Sequence, residues 1–132
     1  MKQNNNIIFV CEHGAAKSII AATFFNQLAK QRRLNWAAIA RGTNPDAALS
    51  DQTIQGLTKD GLTPIEVTPQ GLSLEDIKSA QRMISFCKLP GEFQNKIMTE
   101  QWNGIPPVSE NYNQARDALL ERLNHLIEEI NM

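Results

Sequence analysis

The feature that most restricts this chain is a continuous apolar run, Ile7-Ile8-Phe9-Val10, followed at once by Cys11-Glu12-His13-Gly14-Ala15-Ala16-Lys17-Ser18 and then by a helical pattern. A strand with no polar face belongs in a sheet covered on both sides, which is the environment of parallel strands with crossover helices. From Ser18 to Arg33 the residues Ile19, Ile20, Ala22, Phe24, Leu28 and Ala29 recur at helical spacing, so the loop feeds directly into a helix. Trp36–Ala40 and Arg82–Cys87 read as further core strands, Ile97–Thr99 as a last short one, and Ile65–Thr68 as a weaker candidate. Ser50 or Asp51 opens a helix that Gly61 stops, and Ser73 opens another with Asp76 at the capping-box offset. Ala115, Leu119, Leu120, Leu123, Ile127 and Ile130 form one apolar face of a C-terminal helix. Alternating strands and helices predict an α/β fold, a parallel sheet with right-handed crossovers, built as one domain over 1–132.

Composition sets limits on function. The chain has 132 residues, 42% of them hydrophobic and 20% charged, as in a globular domain with a full core. Thirteen basic residues face 14 acidic ones, so the charge of −1 offers no surplus for a nucleic-acid backbone. The polar stretch Met1–Asn6 precedes only four apolar residues, too few for a signal peptide or a membrane span, and a cytoplasmic location is expected. Two cysteines make no disulfide scaffold and suit a reducing compartment. His13 and His125 lie far apart in sequence, the latter on the polar side of the C-terminal helix, and no metal-ligand spacing is present. No cofactor, metal, nucleic acid or membrane is expected as a partner.

The loop carries the chemistry. A short connection from strand to helix aims several backbone amides at one point, with the positive end of the helix dipole behind them. Gly14 permits a left-handed turn, Ala15 and Ala16 keep side chains clear, and Lys17 adds positive charge. Ser18 is placed to cap the helix or to bond Cys11. A helix N-terminus and a neighbouring cation both favour the thiolate, making Cys11 a nucleophile for an oxyanion held by Glu12 to Ser18. A nucleotide-binding Walker loop requires glycines where Cys11 and Ala16 stand. The plainer alternative makes Cys11 a small buried residue at a strand end. Cys87 also follows a strand, and ligands of such sheets bind beyond the strands' C-terminal ends, so both cysteines are expected at one edge.

A strand, a cysteine, five residues, a basic residue and a serine opening a helix resemble the low-molecular-weight protein-tyrosine phosphatases and the related thioredoxin-linked arsenate reductases. The resemblance continues through Arg41-Gly42-Thr43-Asn44-Pro45, Gly61-Leu62, Cys87 at the place of the reductases' second redox cysteine, and Trp102 to Pro107. It implies a three-layer α/β/α fold with a four-stranded parallel sheet. It also implies Cys11 as nucleophile, Lys17 and Ser18 in support, Cys87 as resolving thiol, and phosphate, arsenate or a phosphorylated substrate as ligand. The family has Arg in place of Lys17, whose fork grips two oxygens where Lys is a point charge, and losing an aligned donor costs roughly 100- to 1,000-fold. Its general-acid Asp falls on Pro106, a further loss of about 100-fold. Glu100 and Glu110 flank that loop as possible substitutes, though a solvated surface role suits both. The third cysteine of the reductases is missing, so a Cys11–Cys87 disulfide would need an external thiol reductant. Three readings stay open: a cysteine-dependent phosphatase or arsenate reductase, a non-catalytic oxyanion-binding or sensing module, and a Cys11/Cys87 redox switch.

Overall fold

The computed structural model describes residues 5–131; positions 1–4 of the polar Met1–Asn6 stretch lie outside them. The sheet is built from β1 (Asn5–Cys11), β2 (Trp36–Gly42), β3 (Arg82–Ser85) and β4 (Thr99–Gln101), in the order β2-β1-β3-β4, with every pairing parallel. Each crossover carries helical structure: α1 (Lys17–Gln31) joins β1 to β2, α2 (Asp51–Lys59) and α3 (Leu74–Lys78) lie between β2 and β3, a single 3-10 turn (Gly91–Phe93) lies between β3 and β4, and α4 (Tyr112–Ile130) follows the last strand.

Period-two alternation in β1 divides the core in two. Ile7 and Phe9 face one side, packed with Ile84 of β3 and with α1, α2 and α4, while Ile8 and Val10 join Met83, Ile77 of α3 and Phe93 on the other. All four β1 residues are fully buried, which accounts for the absence of a polar face in their sequence. Helices on both faces make the three-layer α/β/α arrangement expected from the sequence. Phe9, Phe25, Phe86 and Trp102 meet in an aromatic cluster with centroids 5.8–6.4 Å apart in their successive contacts, tying β1, α1 and the segment after β4 together.

The outer edge of β2 is guarded from the helix layer. Asn26 of α1 donates to the Ala38 carbonyl at 3.1 Å and accepts from the Ala38 amide at 2.7 Å, closing the backbone groups an edge strand leaves open. Arg41 anchors the other layer, with its guanidinium 2.9 Å from Glu66 and 3.0 Å from Asp76. Asp76 also completes a capping box with Ser73, the pairing its sequence offset predicts.

Three expectations are corrected. Ile65–Thr68 is no strand: Val67 is 93% exposed there, and the sheet is instead extended by an isolated parallel bridge between Gly42 and Gly71. The last strand is Thr99–Gln101 and not Ile97–Thr99, because Met83 pairs with Thr99 and leaves Met98 turned largely to solvent. β3 stops at Ser85, two residues before Cys87, since the buried Ser85 hydroxyl donates to the Cys87 carbonyl and accepts from its amide, drawing the chain into a turn. Among the described residues no helix is long and apolar enough to cross a membrane.

Candidate functional site

The sheet order changes direction between β1 and β3, the switch point at which ligands of open α/β sheets bind. Val10 pairs with Ser85 there, and the Phe86 amide donates to the Val10 carbonyl at 2.8 Å, so the chain leaves both strands at one level. Cys11 closes β1 and Cys87 follows β3.

The shape of the loop after Cys11 is set by the segment 43–50. The amides of Thr43, Asn44, Asp46 and Ser50 donate to the carbonyls of Cys11, Glu12, His13 and Ala15 at 3.1, 2.7, 2.9 and 3.1 Å. In a trans peptide plane the carbonyl and the next amide point opposite ways. Fixing those four carbonyls outward therefore turns the amides of Glu12, His13, Gly14 and Ala16 to the inside of the loop. Among the described residues no acceptor takes the backbone amides of Glu12 to Lys17. Ala16 precedes α1 without a side-chain cap, and no acid occupies the first turn. The result is a ring of amide donors at a helix N-terminus, an arrangement suited to an anion.

Gly14 has the left-handed φ of +63° that its place in the sequence predicts. A second reason for glycine comes from across the sheet. A Cβ on Gly14 would approach the Gly42 amide nitrogen at 3.0 Å, and one on Gly42 would lie 2.8 Å from the Gly14 nitrogen. The loop and the end of β2 thus pack backbone to backbone.

Ser18 is fully buried and does not cap α1; its hydroxyl lies 3.0 Å from the Cys11 sulfur. Cys11 is 8% exposed and opens onto a cavity of about 370 Å³. Glu12, His13, Ala15, Ala16 and Lys17 line one side of it, and Phe86, Cys87, Pro107, Val108 and Ser109 the other. The two cysteines thus share one cavity, both as free thiols. Gly14 and Ser18 support the loop from behind and are not part of the cavity wall.

The charged groups at the rim are organised around His13. Its Nδ1 lies 3.1 Å from Asp46 Oδ1 and its Nε2 3.5 Å from Glu12 Oε2, all three side chains being about half exposed. Glu12 therefore turns toward an imidazole at the rim. Asp46, Ser50 and Gln52 complete that side of the cavity. Sequence reading gave Asp46 and Gln52 no role and took Ser50 only as a candidate helix opener.

Neither flanking carboxylate supplies a replacement acid to this cavity. Glu100 accepts from the Trp102 indole at 2.8 Å and belongs to a separate cavity of about 530 Å³ beside α4, shared with Arg122 and His125. Glu110 is exposed and lines neither cavity, as a surface carboxylate would. Pro106 is half-buried, and the wall at this point is made by Pro107 and Val108, which offer no ionisable group. Among the described residues no cluster of His, Cys, Asp or Glu is placed to hold a metal ion.

No family model matches the sequence, and no curated protein matches it either. Solved structures do share its architecture. A low-molecular-weight protein tyrosine phosphatase from T. tengcongensis superposes with a TM-score of 0.80 at 21% identity, over 96% of this chain and 99% of that one. An arsenate reductase from Archaeoglobus fulgidus gives 0.74 at 22% identity, over 92% and 98%. A thioredoxin-dependent arsenate reductase from Corynebacterium glutamicum gives 0.78 at 17% identity; 98% of this chain is covered but only 63% of that one, so the chain spans less than two thirds of that relative. The chain has the fold shared by the low-molecular-weight protein tyrosine phosphatases and the thioredoxin-dependent arsenate reductases.

Proposed function

We propose that the Cys11–Ser18 loop binds a tetrahedral oxyanion, such as phosphate, arsenate or the phosphoryl group of a substrate, with Cys11 as the nucleophile. The observation that carries this reading is the outward fixing of four loop carbonyls, which turns amide donors to the inner side of a loop that shares its cavity with Cys11. Ser18 is the partner of the thiolate, and Lys17 contributes positive charge on the cavity wall. Attack by sulfur on phosphorus forms an S–P bond as the bond to the leaving oxygen breaks, and water then releases phosphate and restores the thiolate. Lys17 neutralises the dianion as a point charge, without the two-pronged grip of an arginine, and this lowers the expected rate. Two unpaired thiols accord with a reducing, cytoplasmic setting.

The test is turnover of an aryl phosphate and, separately, thiol-dependent reduction of arsenate, each compared with Cys11→Ser. Turnover that disappears in the variant supports a cysteine enzyme and identifies its substrate class. Absence of both activities, with phosphate still protecting Cys11 from alkylation, would leave an oxyanion-binding module without catalysis.

The shared cavity favours a second, thiol-based reading. Here Cys11 sulfur attacks arsenic, an As–S bond forming as one As–O bond breaks and its oxygen leaves as water, and the Cys87 thiolate then attacks the Cys11 sulfur, breaking the As–S bond. Arsenite leaves as As(V) becomes As(III), and the two thiols are oxidised to one disulfide. An external dithiol reduces it. The mass of the protein after arsenate treatment tests this: a loss of two hydrogens that Cys87→Ser abolishes supports it, and unchanged free thiols would exclude it.

A further inference from the structure

We propose that His13 is the general acid of this site, standing in for the carboxylic acid that the Trp102–Pro107 loop does not provide. This rests on the reading of Cys11 as nucleophile and concerns how the leaving group departs.

A thiolate can displace a poor leaving group only if a proton reaches the departing oxygen, and in this cavity the usual direction of supply is closed. The wall formed by Pro107 and Val108 carries no acid, and Glu100 is committed to the Trp102 indole beside a different cavity. The ionisable groups facing the site are therefore Cys11, Glu12, His13, Lys17, Asp46 and Cys87. Of these, only His13 carries an imidazole, which can be held at one ring nitrogen from behind while the other remains available to give a proton to substrate. Its backbone is pinned by the bond from the Asp46 amide to its carbonyl at 2.9 Å. Its ring is paired at Nδ1 with the Asp46 carboxylate at 3.1 Å. The same residue thus fixes both the main chain and the imidazole of His13, two residues beyond the nucleophile.

That pairing leaves Nε2 as the nitrogen able to serve substrate. Its nearest charged neighbour, Glu12 Oε2, stands at 3.5 Å, beyond good hydrogen-bond distance. In the first step Cys11 sulfur bonds phosphorus, the bond to the leaving oxygen breaks, and that oxygen takes the proton from Nε2 of the imidazolium. The neutral imidazole then removes a proton from water as the water oxygen attacks phosphorus. The S–P bond breaks, the thiolate returns and phosphate leaves, with His13 again protonated. Asp46 acts as a positioning residue throughout.

The discriminating measurement is the dependence of kcat/KM on leaving group, using phenyl phosphate and dinitrophenyl phosphate with wild type, His13→Gln, Asp46→Asn and Glu12→Gln. A group that donates the proton matters for phenol and hardly at all for the acidic dinitrophenol. We expect His13→Gln to lose about 100-fold on phenyl phosphate and little on dinitrophenyl phosphate. Asp46→Asn should show the same bias more weakly. Phosphate should still protect Cys11 of His13→Gln from alkylation, which shows the loop intact. Equal losses on both substrates, or a leaving-group bias that appears in Glu12→Gln in place of His13→Gln, would overturn the assignment while leaving Cys11 as nucleophile. Failure of wild type to turn over even dinitrophenyl phosphate would overturn both.

Discussion

The Cys11–Ser18 loop and the junction between α2 and α4 each bring polar groups against buried surface, and they satisfy them in opposite ways. At the junction every group finds a protein partner. Asp60 accepts from the Tyr112 hydroxyl at 2.8 Å and from Arg116 at 3.0 and 3.2 Å, and the Arg116 guanidinium also lies 5.8 Å from the Tyr112 ring centre. Gly56 lies under that ring, where an added Cβ would fall 2.4 Å from its carbons. In the loop the satisfied groups are the carbonyls, held by the segment 43–50, while the amides on the inner side have no described acceptor. A closed network stabilises a helix contact, whereas a ring of donors held open by outside bonds stores binding capacity for a ligand.

That contrast predicts two kinds of variant. Cys11→Ser should reduce turnover on the order of 10,000-fold or more and leave the melting temperature nearly unchanged, as measured by calorimetry beside the activity assay. Lys17→Ala should lower activity and phosphate affinity together, by roughly 100-fold in kcat/KM. Lys17→Arg should raise kcat/KM above wild type if the planar fork fits between loop and substrate. A decrease would mean that the cavity is shaped around the amine.

At the junction the effects should appear in stability alone. Gly56→Ala places a methyl group into the Tyr112 ring and should cost about 1–3 kcal/mol by denaturant unfolding, with catalysis per folded molecule unchanged. The smallest effect concerns pH. Burial, and then the hydrogen bond and charge of Asp60, hold the Tyr112 phenol above its ordinary value, against the opposing charge of Arg116. The folded protein therefore keeps a proton that the unfolded chain releases. The associated stability is complete below the ordinary phenol range, about pH 10, and declines as pH rises through it. Wild type should lose melting temperature more steeply than Tyr112→Phe above that pH, and identical slopes would contradict the assignment.

The legible parts of the sequence were those governed by local rules. β1 was readable because complete burial on both faces leaves only apolar residues, and the start of α3 because a capping box needs two side chains three positions apart. The loop could be recognised from its small residues and its cation between strand and helix, and the sharing of one cavity by Cys11 and Cys87 follows from parallel topology. What could not be read was set by distant partners. Asp46 gains meaning only once its amide and carboxylate meet His13 across the loop. The end of β3 is decided by one hydroxyl, Ser85, turning back on Cys87. Ile65–Thr68 has strand-forming residues but no neighbouring strand, and Val67 faces solvent. Glu100 flanks the right loop in sequence, yet its bond to the Trp102 indole keeps it beside α4.

The central claim is that the amides turned to the inner side of the Cys11–Ser18 loop form an oxyanion site, and the rate of Cys11 alkylation during a phosphate titration tests it most directly. The cysteine modified would be identified by mass spectrometry. The account predicts saturable protection of Cys11 by phosphate and by arsenate, but not by chloride at equal ionic strength, and weaker protection in Lys17→Ala. An alkylation rate indifferent to both oxyanions would contradict it.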